Sequence, residues 1–152
     1  MNQEIIAKAE AAIAKRALVP NEGSCANEGY CTVTTIDENG YPTSSTITAS
    51  KADGIRRLVF GSTLNSDRVN RIKKCNRACV CINSDEYHVS LVGTIEILTD
   101  PQSKQDAWYD WLKEYYSGAD DPDFCALRFT TERYNLYFIA GEMEDSGTLP
   151  KE

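Results

Sequence analysis

Ser66 and Arg68 stand two positions apart where the sequence predicts the start of a helix. A serine at that position can accept a hydrogen bond from a first-turn N–H group, and the other free N–H groups together with the helix dipole favour a bound anion. The planar guanidinium of Arg68 adds a fork of donors that suits a phosphate. The pattern predicts a phosphate site. The simpler alternative is a solvated basic helix face that carries Arg68, Arg71 and Lys74.

Small polar residues lead into this helix. Leu58–Phe60 is predicted as a strand, and Gly61, Ser62 and Thr63 form a turn between that strand and Ser66. The segment after Ser66 is basic, whereas the whole chain has a formal net charge of -7. This overall charge argues against nonspecific nucleic-acid binding and gives no reason for attraction to an anionic membrane. Any anionic ligand must therefore be held locally.

The length of 152 residues, 41% of them hydrophobic, predicts one domain over residues 1–152. The chain has no apolar run long enough for a signal or a membrane span, and we expect it to reside in the cytoplasm. Of its six cysteines, Cys79 and Cys81 lie two apart in a predicted strand, which places both on one face. No paired C-x-x-C motif is present, so packing of reduced thiols is favoured over metal binding.

Hydrophobic periodicity predicts the secondary structure around these residues. Helices are expected over 3–17, from Ser66 to about Asn76, and from Asp100-Pro101 through an apolar stripe that ends at Tyr115. Asn39-Gly40 predicts a hairpin turn, and Gly93 a bulge or bend. A polar tail is expected at the end. Alternating patterns predict strands over 30–36, 41–50, 57–61, 78–83, 87–98, 125–131 and 134–140.

Many consecutive antiparallel strands with few helices favour a barrel, because closure removes the free sides of a sheet. The predicted fold class is β-rich α+β, a split β-barrel of about six antiparallel strands with peripheral helices. No internal repeat or linker divides the chain. We therefore expect a core over about 26–140 that follows the N-terminal helix.

Four short motifs in order carry a resemblance to a known family. They are Gly40-Tyr41-Pro42, Phe60-Gly61-Ser62-Thr63, Ser66-x-Arg68 and Val92-Gly93-Thr94-Ile95-Glu96. With the order of elements, the chain resembles the pyridoxamine 5'-phosphate oxidase-like FMN-binding split-barrel superfamily over roughly 26–139. It looks most like the general-stress and nitroimidazole-resistance relatives.

The resemblance implies a homodimer that binds FMN in clefts at its interface. Ser66 and Arg68 match the phosphate-binding positions, and Gly61, Ser62 and Thr63 match residues that line the phosphate and ribityl region. The strand that runs along the flavin corresponds to Ser45, Thr46, Ile47 and Thr48. His88, the single histidine, is a candidate to face the flavin ring, with a structural or surface role as the alternative.

Two departures from the family pattern narrow the expected function. Where many members carry an arginine after the G-x-P element, this chain has Ser44, Ser45 and Thr46, so one phosphate contact is missing or comes from elsewhere. The C-terminal tryptophan and arginine pattern of true pyridoxamine 5'-phosphate oxidases is not evident after Cys125. We therefore do not predict a role in vitamin B6 synthesis.

Three functional hypotheses follow. The first is an FMN-dependent oxidoreductase that passes electrons from NADH or NADPH to a small nitroaromatic or quinone acceptor. The nicotinamide would dock transiently, because the chain has no G-x-G-x-x-G element. The second is a non-catalytic flavin-binding or flavin-storing module, and the third is the same barrel holding haem or a deazaflavin. Trp108, Tyr109 or Trp111 can cover a flavin face, although helical spacing favours core packing for the two tryptophans.

Overall fold

Seven strands and three α-helices make up the described part of the chain, which in the computed structural model comprises residues 2–17 and 30–151. Pro20 and residues 21–29, which in the sequence mark the end of the first helix, lie outside these residues. In chain order the elements are α1 (Gln3–Arg16), β1 (Tyr30–Ile36), β2 (Pro42–Asp53), β3 (Arg57–Thr63), α2 (Asp67–Lys74), β4 (Arg77–Ser84), β5 (Tyr87–Leu98), α3 (Pro101–Ala107), a 3₁₀ helix (Asp110–Glu114), β6 (Phe124–Phe138), a second 3₁₀ turn (Ala140–Glu142) and β7 (Met143–Thr148).

The strands form a closed antiparallel barrel. Their order in the sheet is β3-β2-β1-β4-β5-β6-β7. An additional pairing between β3 and β6 closes β1 to β6 into a ring. The closing seam aligns Leu58 with Phe129 and Gly61 with Ala126. The predicted β-rich split barrel with peripheral helices is therefore confirmed, with β7 as an extra strand beside β6.

Strand β6 is a single element, so the prediction of two strands over 125–131 and 134–140 is wrong. Its first half pairs with β3 from Phe124 to Thr130, and its second half pairs with β7 from Arg133 to Phe138. Between the halves lies Glu132, which is the extra residue of a bulge opposite β5. The polar pair at 132–133 resembles a turn in sequence, but the bulge lets the strand continue.

Gly93 in β5 lies opposite that bulge, which confirms the bulge or bend predicted at this position. The register shifts between Val92 and Gly93, and a Cβ built on Gly93 would lie 1.9 Å from the carbonyl oxygen of Thr130. Only a residue without a side chain lets the two backbones approach this closely. The glycine therefore fixes the register of the longest strand pair in the barrel.

The hairpin predicted at Asn39-Gly40 is also confirmed. Gly40 has φ +83°, and its N–H donates to the carbonyl of Asp37 at 3.0 Å. Strand β2 runs to Asp53 and not to Ser50, because a bulge at Ser50 lets it continue beside β3. The turn that follows is centred on Gly54, whose φ is +54°.

The region after Ala140 was predicted as a polar tail, but it contains β7. Its side chains alternate between half-buried and exposed, and its backbone pairs with β6 from Met143 to Thr148. A strand that packs on only one face needs few apolar residues. The polar composition of this segment therefore did not predict a strand.

The third helix is shorter than predicted. It starts at the expected Asp100 cap with Pro101 in its first turn, but it ends at Ala107. Trp108 and Tyr109 are extended, and a 3₁₀ helix follows. This break allows Trp108 to meet Phe124 edge-on, with 5.4 Å between ring centroids.

Two apolar clusters hold these elements together. The main cluster fills the barrel and includes the buried face of α1, whose Ile5 and Ala9 are fully buried. The second lies on the outer side of β3 and β6, where Ala107, Leu112, Phe124 and Ala126 are buried beneath α3 and the 3₁₀ helix. Within the described residues, no helix is both long and apolar enough to cross a membrane.

Candidate functional site

Helix α2 begins at the predicted cap. Ser66 is extended, with φ -72° and ψ 159°, and its Oγ accepts a hydrogen bond from the N–H of Val69 at 3.2 Å. Its own N–H donates to the carbonyl of Thr63 at 3.0 Å, which joins the helix to the end of β3. In this geometry the N–H groups of Asp67 and Arg68 have no acceptor within the helix. They are available to an anion at the positive end of the helix dipole.

Arg68 connects this helix start to strand β2. Its Nη2 donates to Ser45 Oγ at 2.8 Å and to the carbonyl of Thr46 at 3.3 Å, while its Nε lies 3.2 Å from the same Ser45 oxygen. Ser45 and Arg68 are 23 positions apart in sequence. The structure thus brings together two residues that sequence had assigned to one site through different motifs. We refer to Ser45, Thr63, Ser66 and Arg68 as the Arg68 cradle.

The charge of Arg68 is not offset by an acid in the described part of the chain. Its hydrogen bonds there end on neutral oxygens. Burial and the neighbouring Arg71 both lower the pKa of the Arg68 guanidinium, although an arginine remains protonated at neutral pH. A bound anion would relieve both effects, since it would offset the charge and replace lost solvation.

Strand β2 turns alternate side chains to opposite faces, so the four residues predicted along the flavin do not share one environment. Ser45 contacts Arg68, and Ile47 packs at the margin of the main core. Thr46 exposes its side chain and offers its carbonyl to Arg68, whereas the side chain of Thr48 is buried. Their contact with a flavin remains a prediction.

The three small residues predicted as a turn, Gly61, Ser62 and Thr63, are instead the last residues of β3. Strand alternation therefore places their side chains in different environments. Ser62 faces the barrel and is buried. Gly61 faces the second cluster, where a Cβ would lie 2.7 Å from the ring of Phe124. Thr63 is exposed beside the helix start. In this chain only Thr63 of the three presents its side chain at the open end of the cradle.

His88 lies elsewhere in the barrel. It is the second residue of β5, is exposed, and packs against Tyr137 with 6.0 Å between ring centroids. Strand β6 lies between β5 and β3, but His88 aligns with Tyr137 near the end of β6, whereas Thr63 of the cradle aligns with Phe124 at its start. Within one chain His88 is therefore not brought to the Arg68 cradle, and its contact with a flavin stays a prediction.

The basic residues of α2 fall into two groups. Arg71 is half-buried and its Nε donates to the hydroxyl of buried Thr35 at 2.9 Å. Lys73 and Lys74 are exposed, and Lys74 lies 3.8 Å from Glu38. The alternative interpretation, a solvated basic helix face, fits the two lysines. It does not describe Arg68 or Arg71, because each is held by a side chain of a neighbouring strand.

Tyr116 is an aromatic residue beside the cradle that the sequence did not predict there. Tyr116 follows the 3₁₀ helix, and its hydroxyl oxygen lies 2.5 Å from Thr63 Oγ1. Its ring packs on Phe124, with centroids 4.9 Å apart. No local pattern indicates this contact, because the two hydroxyls are 53 positions apart in sequence. Trp108 packs against the second cluster, in agreement with the packing role favoured for it, and Tyr109 packs there too. Trp111 packs edge-on against Tyr115 and is not part of that cluster.

The cysteines follow the predicted strand alternation. Cys79 and Cys81 share the outer face of β4 and are half-buried. Cys31 and Cys125 are buried, and burial raises the pKa of each thiol to about 11. Among residues 2–17 and 30–151, no three His, Cys, Asp or Glu side chains are grouped to hold a metal ion. At neutral pH the geometry supports protonated, packed thiols at Cys31 and Cys125.

Comparison with known families assigns the fold. Residues 23–138 match the family described as pyridoxamine 5'-phosphate oxidase. The chain belongs to this family. The match spans the barrel from the segment before β1 to the end of β6, and it includes every residue of the Arg68 cradle. A comparison with curated protein sequences found no match.

Solved structures support the same assignment. A Clostridium acetobutylicum protein related to general stress protein 26 of B. subtilis is 29% identical, with a TM-score of 0.79 over 98% of this chain and 97% of that chain. A pyridoxamine 5'-phosphate oxidase-related, FMN-binding protein from Nostoc punctiforme is 12% identical, with a TM-score of 0.62 over 99% and 98%.

A haem-binding protein from Mycobacterium smegmatis has the same fold. It is 20% identical, with a TM-score of 0.63 over 91% of this chain and 57% of that chain. Members of this structural group therefore include both an FMN-binding and a haem-binding protein. At these identities the likeness concerns the fold alone.

Proposed function

We propose that this protein is an FMN-binding flavoprotein that passes electrons from a reduced nicotinamide to a small acceptor such as a nitroaromatic or a quinone. The observation that carries the proposal is the Arg68 cradle. There a half-buried cation is bonded to neutral oxygens and lies at a helix start with free N–H groups. Such a site favours a phosphate over an uncharged group.

The residues present fit FMN by the chemistry of their donors. Arg68 and the N–H groups at the start of α2 would hold the phosphate, and Ser45 would orient the guanidinium through its hydroxyl. This chain lacks the arginine that many family members carry after the G-x-P element, so Arg68 would supply the cationic contact of this site. When bound, the isoalloxazine supplies the redox chemistry, and the protein contributes binding and orientation.

A homodimer is part of this proposal. The outer face of β1 and β4 carries small, half-buried side chains, including Thr32, Thr34, Cys79 and Cys81. Small side chains let a second copy approach this face closely, and a single small barrel offers little depth for a tricyclic ring. Sedimentation velocity is expected to give the mass of a dimer. A monomer that binds FMN tightly would contradict a site shared between subunits.

The visible spectrum of the purified protein tests the cofactor and the reaction together. We expect flavin absorption near neutral pH that bleaches on addition of NADH or NADPH and returns when a nitroaromatic or quinone is added. Bound flavin that neither nicotinamide reduces would favour the non-catalytic module. A haem or deazaflavin spectrum, with no binding of added FMN, would refute the proposal and favour the alternative that the Mycobacterium smegmatis neighbour represents.

A further inference from the structure

Tyr116 reaches the open end of the Arg68 cradle from a different part of the chain. The backbone brings it there through the 3₁₀ helix, after which its N–H donates to the carbonyl of Leu112 at 3.0 Å. Its hydroxyl meets that of Thr63, at the strand end that bonds to Ser66. The phenol is therefore placed beside the N-terminus of α2.

The ring of Tyr116 is fixed by packing. Phe124 lies against it, and Phe124 is itself fully buried. The ring of Phe124 occupies the space that a side chain at position 61 would fill, because a Cβ on Gly61 would lie 2.7–2.8 Å from two of its carbon atoms. Gly61 thus admits Phe124, and Phe124 supports Tyr116. A hydroxyl on a ring held in this way binds a ligand with little loss of conformational freedom.

The Tyr116 phenol lies within electrostatic range of the Arg68 guanidinium. Burial and Arg71 lower the pKa of Arg68, whereas Tyr116 lies near enough for its ionised phenolate to raise it. Thr63, Tyr116 and Arg68 thus converge on the start of α2. Their polar atoms come from β3, the segment after the 3₁₀ helix, and α2.

Each of the two hydroxyls has one proton, and either can be the donor in the contact between them. When Thr63 donates to Tyr116, the proton of the phenol is free to donate to another acceptor. We infer that this acceptor is a phosphate oxygen of the bound ligand, so that Tyr116 is a phosphate-binding residue and Thr63 orients it. This inference rests on the proposed FMN site and adds a neutral donor to the arginine.

Tyr116→Phe is the variant that tests the inference, since it removes the hydroxyl and keeps the ring that packs on Phe124. Tyr115→Phe is the matched control. It removes the hydroxyl of the adjacent tyrosine, which is 66% exposed and packs edge-on to Trp111. Apo-protein of each variant is titrated with FMN and with riboflavin, and thermal unfolding confirms that both variants are folded.

We expect Tyr116→Phe to weaken FMN by about 5- to 20-fold, a loss at the boundary between an ordinary hydrogen bond and one to a charged group, and to leave riboflavin affinity unchanged. Tyr115→Phe should change neither affinity. Equal weakening of FMN and riboflavin by Tyr116→Phe would overturn the inference, because the hydroxyl would then serve the flavin ring or the packing.

Arg68→Ala separates this inference from the proposed function. If Arg68→Ala abolishes the preference for FMN over riboflavin while Tyr116→Phe behaves like Tyr115→Phe, the phosphate site stands and the role of Tyr116 is wrong. If wild-type protein binds FMN and riboflavin equally, the phosphate site itself fails.

Discussion

Arg68→Ala is the substitution with the largest expected effect on cofactor binding. A hydrogen bond to a charged group contributes about 1.5 to 3 kcal/mol, and each 1.4 kcal/mol corresponds to roughly a tenfold change in affinity. We therefore expect FMN to bind about 10- to 100-fold more weakly. Riboflavin lacks the phosphate and should bind almost unchanged. Titration of apo-protein with both flavins, followed by fluorescence or calorimetry, measures the two affinities.

The structure determines which control is appropriate. Arg71→Ala is not a suitable control, because Arg71 donates to buried Thr35 at 2.9 Å. Its removal would leave a buried hydroxyl without that partner and cost about 1 kcal/mol of stability or more. Lys73 is exposed on the same helix. Lys73→Ala removes the same charge from α2 without that contact, and we expect it to change FMN affinity by no more than about twofold at physiological salt.

Two results would refute the reasoning. If Arg68→Ala leaves FMN affinity intact, the guanidinium does not contact the phosphate. If Lys73→Ala weakens FMN as much as Arg68→Ala does, the effect reflects the net charge of the helix and not a specific contact. Circular dichroism of each variant shows whether the barrel is folded before the affinities are compared.

Three further predictions concern the support of the site and the barrel. Ser45→Ala removes the acceptor that holds the guanidinium at 2.8 Å, and FMN titration should show a loss of about 3- to 10-fold, whereas an unchanged affinity would mean that Arg68 needs no anchor. Gly93→Ala should lower the free energy of unfolding by about 3 kcal/mol or more in urea titrations, because its Cβ would meet the Thr130 carbonyl. Gly118→Ala is the control, since its nearest atom is the movable side chain of Asp120, and equal losses would exclude the backbone clash. Cys31 and Cys125 have thiol pKa values of about 11 in the fold against an ordinary 9.0, so the unfolded chain loses their protons first and stability should fall as pH rises from about 9 toward 11. A midpoint of thermal unfolding that rises over this range would contradict the assignment.

Local patterns in the sequence predicted most of the barrel. Alternation located the strands, Asn39-Gly40 located the first hairpin, and Gly93 marked the bulge, because each of these signals depends on neighbouring residues. The continuity of β6 was not predictable in this way. Glu132 and Arg133 resemble a turn, and only pairing with β5 shows that the strand continues through them.

The residues of the candidate site also differ in whether local sequence signals or long-range packing reveal them. Ser66 was recognisable because a cap acts on the helix that follows it, and the resemblance to the family drew attention to Ser45 and Arg68. Tyr116 was not recognised, since its contact with Thr63 depends on how α3 and the 3₁₀ helix cover β3. Long-range packing also showed that Gly61 makes room for Phe124, a role that a family motif does not reveal.

Strand β7 has a consequence for the solution behaviour of the protein. In the described part of the chain it pairs only with β6, and its outer backbone groups form an edge that a strand of another molecule can extend. Glu144 and Asp145 place negative charge on this edge, where repulsion between identical copies opposes indefinite growth of the sheet. A chain that stopped before Met143 would expose the second half of β6, with Leu136 and Phe138, in its place. Such a truncated protein would expose a more apolar edge with Arg133 as its one charge, so the acidic residues of β7 are expected to oppose aggregation.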